Sequence, residues 1–162
     1  MVSTIQKSSA ALTLHAQLAA DLMTPDPISI RAEASANEVM SLFTDKAITA
    51  APVIDQAGRP IGVVSRSDLL VHQVEQAKHR AGGPDYQFEP TQDADAPPVC
   101  KATVADLMTP AVFAVSPDTP VGRVVNDMVG LRVHHLFVVD DAGVLVGVIS
   151  TMDVLKHLKA EE

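Results

Sequence analysis

The six residues ADLMTP occur twice, at positions 20–25 and again at 105–110, a displacement of 85. Under that one shift, 16 of the 52 positions from 20 to 71 are identical and no gap is needed. Asp55 falls on Asp140, Ala57 and Gly58 on Ala142 and Gly143, and Gly62 on Gly147. Ser65 falls on Ser150, Asp68 on Asp153 and Leu70 on Leu155. A register this long means two copies of one supersecondary unit. With 162 residues the chain has room for one domain with a substantial core, and too few for two of ordinary size.

Each copy has the same coarse order. A short helix ending in DLMT is stopped by Pro25 or Pro110, because proline has no N–H to donate and pushes its predecessor toward extended backbone. An extended stretch follows, PISI in one copy and AVFAV in the other. Ala36, Val39, Met40, Phe43 and Ala47, matched by Val121, Val124, Val125 and Met128, then recur at the spacing of one buried helix face. Two β-rich runs around a Gly-bearing turn predict a hairpin, APVIDQAGRPIGVVS or LFVVDDAGVLVGVIS. SDLLVHQVEQAKH and TMDVLKHLK close the copies as helices, giving β-α-β-β-α with a leading helical segment. On this reading residues 1–17 lead in, partly as a helix, 18–80 form the first copy and 101–159 the second. Residues 81–100, rich in Gly, Pro and Asp and without periodicity, form the linker.

A net charge of −8 and a pI near 5.1 repel phosphate backbones. Aromatic residues are 3% with no Trp, so base-stacking platforms are scarce and a nucleic-acid polymer is not the expected partner. The single cysteine, Cys100, excludes an intrachain disulfide. No apolar run reaches the length of a membrane span, and the first ten residues lack the apolar core of a secretory signal. The expectation is a cytoplasmic chain away from the membrane. Cys100 stands beside Lys101 with no base near it in sequence, and no P-loop or dinucleotide-binding glycine fingerprint occurs. Binding, not catalysis, is therefore expected.

Both copies end their hairpin in Gly, two apolar residues and Ser-x-x-Asp: GVVSRSD and GVISTMD. Ser65 and Ser150 sit where an N-cap belongs, with Asp68 and Asp153 at the third helical position. That spacing suits a capping box, in which the serine oxygen accepts a backbone N–H and the carboxylate favours the positive helix end. The same arrangement suits a ligand, since a helix N-terminus offers unpaired N–H groups and a carboxylate accepts from vicinal hydroxyls. Residues alone leave both open.

Two copies carrying DLMTP and G-h-h-S-x-x-D, with h an apolar residue, resemble the CBS-domain pair, or Bateman module, over about residues 18–159. The resemblance implies an α/β fold of tandem β-α-β-β-α repeats about a pseudo-twofold axis, sharing one core. It implies an adenosine-containing regulatory ligand (AMP, ADP, ATP, S-adenosylmethionine or NAD(H)) in clefts between the repeats, and no required cofactor. It also implies a homodimer of four repeats in a disc and an effector protein that receives the signal. In that family the Ser position, here Ser65 and Ser150, meets phosphate, and the Asp position, here Asp68 and Asp153, meets the ribose diol. Thr24, Ile28, Thr109 and Phe113 occupy the positions that wall the adenine. VHHLFVVD, with His134 and His135 after Arg132, is similar to the segment of AMP-activated protein kinase gamma subunits whose basic residues contact phosphates. Adjacent strand residues point to opposite faces, so one of the two histidines at most enters a given cleft, and the pair makes a poor metal chelate. Arg66 either reaches a phosphate or lies exposed at its helix start. His15, His72, His79 and His157 are expected as surface or partly packed residues. The alternative function is a structural dimerisation or adaptor module in which Ser-x-x-Asp is a cap alone.

Overall fold

The computed structural model describes residues 11–81 and 102–160. From the N-terminus come β1 (Leu12–Leu14), α1 (Ala19–Leu22), β2 (Thr24–Pro25), β3 (Ile30–Arg31), α2 (Ala36–Asp45), β4 (Ala50–Ile54), β5 (Pro60–Ser65) and α3 (Arg66–Ala81). After residues 82–101 come α4 (Val104–Leu107), β6 (Ala114–Val115), α5 (Val121–Leu131), β7 (His135–Val139), β8 (Leu145–Ser150), α6 (Thr151–Lys156) and β9 (Leu158–Ala160). The predicted β-α-β-β-α order appears in both copies, and most of the linker, with Cys100, lies outside the described residues.

The chain divides into two compact units, Pro27–Val112 on one hand and Met1–Asp26 with Phe113–Glu162 on the other. Each unit takes the leading DLMTP segment of the opposite copy. In the second unit β2 pairs antiparallel with β8, Thr24 opposite Val148 and Pro25 opposite Gly147. In the first unit Thr109 forms the equivalent bridge to Val63, with N–H···O bonds of 3.0 and 2.8 Å running both ways. These crossings need a strand without a side chain beneath them. A Cβ on Gly62 lies 2.7 Å from the Thr109 carbonyl oxygen, and one on Gly147 lies 2.5 Å from the Met23 sulfur.

Within each unit the hairpin turns one face to its core. In Pro27–Val112, Ala51, Val53 and Val64 bury against Val39 and Phe43 of α2, Leu69 of α3 and Val104 and Leu107 of α4. In the other unit, Leu136, Val138 and Ile149 bury against Ala19 and Leu22 of α1 and Val124 and Met128 of α5. Burying each such aliphatic side chain is worth roughly 1.5–3 kcal/mol, so these faces fix the strand register. The opposite faces then follow by alternation: Ala50, Pro52, Val63 and Ser65 on one hairpin, and His135, Phe137, Val148 and Ser150 on the other. Of the predicted helix-face residues, Ala36, Val39, Phe43, Val124 and Met128 are buried. Ala47 falls beyond α2 and is exposed.

Two expectations are corrected. The segment leading into the first copy is not helical over its described part, because Leu12–Leu14 is a strand paired with Leu158–Ala160. For the same reason the closing helix of the second copy is short. It stops at Lys156, and the His157 carbonyl accepts from the His15 N–H at 2.8 Å as the chain turns into β9. Pairing between segments nearly 150 residues apart in sequence outweighs local helix propensity, which is a weak prior. The helix before Pro25 also ends two residues earlier than DLMT suggests, at Leu22 with Met23 as its C-cap.

Candidate functional site

Both Ser-x-x-Asp sequences form capping boxes. Ser150 donates from its backbone N–H (2.8 Å) and its hydroxyl (2.6 Å) to the same Asp153 oxygen, Oδ2, and accepts from the Asp153 N–H at 3.3 Å. Ser65 and Asp68 repeat this at 2.7, 2.7 and 3.4 Å. The box therefore engages one carboxylate oxygen and leaves Oδ1 out of the cap. Around Asp153 that second oxygen has Lys156 Nζ at 3.5 Å, with the lysine 67% exposed and the aspartate 13%. Burial pushes the Asp153 pKa up, but the Ser150 hydroxyl and N–H together with Lys156 outweigh it and hold the carboxyl below its usual value. The sequence marks Lys156 only as part of a helix; its position three residues after Asp153 is the signal that pairs them.

The strand pairing sorts the histidines. His135 lies directly across from Ser150 in the β7–β8 register, on the face that carries the box. His134 precedes the strand and contributes its carbonyl to the Thr151 N–H at 3.0 Å; both histidines are exposed. His135 is thus the one histidine of the two that the strand register sets beside the second box. Desolvation of its ring, followed by the neighbouring His134, lowers its pKa, while the Asp153 carboxylate raises it; the net shift is downward. In the first copy the same place, opposite Ser65, is taken by Ala50.

Arg132 is exposed in the left-handed region just past α5, with φ 56°. Arg66 donates from Nη2 to the Phe43 carbonyl at 3.2 Å, so it caps the end of α2 and is not aimed at its own box. Thr24 and Phe113 fall in the same unit as Ser150 and Asp153, whereas Ile28 and Thr109 fall with Ser65 and Asp68. Position within the repeat groups Thr24 with Ile28 and Thr109 with Phe113; the exchange of leading segments regroups them. Thr24 and Phe113 lie at opposite margins of the sheet β2-β8-β7-β6, and the Phe113 carbonyl accepts from Phe137. Ile28 and Phe113 are both substantially exposed.

His157 caps α6, with Nδ1 2.8 Å from the Asp153 carbonyl, and His72 Nε2 lies 2.8 Å from Gln76 Nε2. His15 is exposed, and the His79 side chain lies outside the described set. Among the described residues no group of three His, Cys, Asp or Glu side chains could hold a metal ion. None of the described helices is long and apolar enough to cross a membrane.

Residues 19–75 and 104–160 each match the family model of the CBS domain. An uncharacterized protein of Methanocaldococcus jannaschii is 29% identical over 144 residues, 82% of this chain and 86% of the relative. The gamma-3 subunit of 5′-AMP-activated protein kinase of Bos taurus is 29% identical over 119 residues, 74% of this chain but only 21% of the subunit. Among solved structures, CBSX2 in complex with AMP superposes with a TM-score of 0.64 at 25% identity, covering 87% of this chain and 95% of that one. The cytosolic domain of the Mg2+ channel MgtE in complex with ATP gives 0.64 at 29% identity, covering 88% and 49%.

Proposed function

Since this chain belongs to the CBS-domain family, we propose that it is a regulatory module that binds an adenosine-containing ligand and passes the occupancy to an effector protein. The observation that carries the reading is the doubled box. Asp68 and Asp153 each commit one oxygen to a cap and keep a second oxygen out of it. A fixed carboxylate of this kind suits a ribose diol, and the serine and helix-start N–H groups suit a phosphate. Thr24 and Phe113, in the unit of the Asp153 box, and Thr109 and Ile28, in the unit of the Asp68 box, supply the wall for adenine in this reading. Bound AMP in CBSX2 and bound ATP in MgtE support the ligand class. The ligand shifts a conformational equilibrium and is not turned over. The module acts as a homodimer in the cytoplasm. AMP, ADP, ATP, S-adenosylmethionine and NADH screened by thermal shift, followed by calorimetry on the hits, test this. A ligand near 100 times its Kd raises stability by about 2.7 kcal/mol. A folded protein with flat titrations against all five sinks the proposal.

One observation favours the second reading, a dimerisation or adaptor module. In both boxes the serine hydroxyl is satisfied by the aspartate without any ligand. Leu70, Val71 and Val74 on α3, Val129 and Leu131 on α5, and Met152 and Leu155 on α6 are exposed apolar residues for such an interface.

A further inference from the structure

The two boxes are alike in backbone and unlike in charge. Opposite Ser150 stands His135, and beside Asp153 stands Lys156 at 3.5 Å. Opposite Ser65 stands Ala50, and the residue three after Asp68 is Val71. Among the described residues no cation pairs with Asp68. Arg66, the cation nearest to it in sequence, is held on the Phe43 carbonyl at the end of α2. The rest of that hairpin face is Pro52 and Val63, with no charge.

Resting on the ligand class proposed above, we infer that the two boxes sort adenosyl ligands by charge. The Ser150–Asp153 box takes a phosphorylated nucleotide. The Ser65–Asp68 box takes an adenosyl compound without phosphate, either uncharged or bearing a cationic sulfonium. At Asp153 the carboxylate is offset by Lys156, and the imidazole of His135 donates an N–H, or a full charge once protonated, to a phosphate oxygen. At Asp68 the same phosphate meets an uncompensated carboxylate in partly desolvated surroundings, where unscreened repulsion is largest. An uncharged thioether or a sulfonium meets no such repulsion there and gains from the apolar Ala50 and Val63. Lys156 and His135 share no counterpart in the first copy, so the asymmetry is built into the side chains and not into the fold.

The test is calorimetry at pH 7 with two probes, AMP and 5′-methylthioadenosine, on the full chain and on Asp68→Asn, Asp153→Asn, Ala50→His and His135→Gln. Asparagine keeps an oxygen that accepts at the cap while removing the charge. The last two substitutions leave both caps untouched, so they report even where an Asn variant folds poorly. AMP binding is expected to fall about tenfold or more in Asp153→Asn and in His135→Gln, one charge-assisted contact being worth about that factor, and to stay within about twofold in Asp68→Asn. Methylthioadenosine is expected to show the reverse for the two Asn variants, and Ala50→His to gain AMP affinity at the first box. Equal responses of both probes to both Asn variants, or loss of AMP in Asp68→Asn, overturn the sorting and leave adenosyl binding itself standing. Absence of heat with either probe on folded wild-type protein overturns both.

Discussion

Ser150 places its hydroxyl 2.6 Å and its N–H 2.8 Å from one oxygen of Asp153, so the residue proposed to hold a ribose is already a structural cap. Asp153→Ala removes both roles together. Its structural cost is expected to be about 1 kcal/mol, the usual value of a lost capping interaction, read from urea denaturation. Its effect on ligand binding is expected to be far larger. If calorimetry with AMP shows instead an unchanged Kd in a protein destabilised by that amount, the cap is the whole function of the residue and the adaptor reading stands.

The repeat made most of this architecture readable, because an 85-residue shift carries the β-α-β-β-α order of one copy onto the other. The hairpin turns were legible too. Asp55 and Asp140 accept from backbone N–H groups two and four residues on, and Gly58 and Gly143 take φ near 80° behind them. What the sequence hid is long-range pairing. Nothing near Leu12–Leu14 or Leu158–Ala160 announces that each segment is the other's strand partner, and nothing in DLMTP says that it pairs with the hairpin of the opposite copy. Period-2 alternation separated His134 from His135, but their order relative to Ser150 needed the β7–β8 register. Arg66 lies exposed at the start of α3, one of its two expected places, but no local pattern announces its partner, the Phe43 carbonyl, which lies 23 residues away.

His135 carries a pH dependence of ligand binding. Its pKa lies below the ordinary 6.5, mainly through desolvation, so it carries less charge than a free imidazole at any given pH and gains charge as pH falls. A phosphate beside it favours the charged form and raises the pKa toward or past the ordinary value. AMP affinity is therefore expected to rise as pH is lowered from about 7.5 through 6, after allowance for protonation of the phosphate itself. His135→Gln keeps a neutral donor and cannot titrate. Its affinity curve, measured in parallel, is expected to follow the phosphate alone; superimposable curves for the two proteins count against a His135–phosphate contact.

Stability in the absence of ligand also falls on the acid side. The carboxyls of Asp21, Glu38 and Asp106 are each held below their ordinary values, first by backbone N–H groups at their helix starts; in Asp153 the Ser150 and Lys156 bonds outweigh an opposing burial effect. A depressed acid stabilises the fold above its unfolded pKa and loses that contribution as pH falls through the folded one. Their share is thus complete above the ordinary 4.5 of Glu and 3.8 of Asp, and lost below. His135, whose neutral form the fold favours, begins to cost stability earlier, below 6.5. Denaturation midpoints from pH 7 to 3 are expected to decline gently at first and steeply below about 4.5. Asp106→Asn, neutral throughout but still able to accept, is expected to flatten the steep part; an unchanged slope there assigns the acid loss to other groups.

Gly62 and Gly147 are predicted to be unequal in their tolerance of a methyl group. At Gly147 the nearest atom to an added Cβ is the Met23 sulfur at 2.5 Å, the end of a flexible chain that can turn away. At Gly62 it is the Thr109 carbonyl oxygen at 2.7 Å, which is backbone and is tied to Val63 by a hydrogen bond. Gly62→Ala must therefore push the Thr109 backbone off Val63, at a cost of about 1–3 kcal/mol or more, whereas Gly147→Ala is expected to cost less. Chemical denaturation of the two variants side by side decides it, and a larger loss at Gly147 contradicts the assignment.

Ala47 offers the opposite case, a place where glycine improves the fold. It follows the C-cap of α2 with φ 53°, in the left-handed region where a Cβ is crowded. The Ile48 N–H reaches back to the Phe43 carbonyl at 3.2 Å, which is the long hydrogen bond of a Schellman motif with Ala47 at its left-handed position. Arg132 occupies the same position after α5, with φ 56° and the Val133 N–H bonded to the Met128 carbonyl at 3.0 Å. Relief of the strained Cβ is opposed by the extra freedom glycine gives the unfolded chain, and the first term is the larger where φ is positive. Ala47 is exposed and its side chain makes no core contact to lose. Ala47→Gly is accordingly expected to stabilise by about 0.5–1 kcal/mol, raising Tm by about 1–4 °C for a domain of this size. A fall in Tm means that the left-handed turn is held at no cost to alanine, and that α2 ends there for another reason.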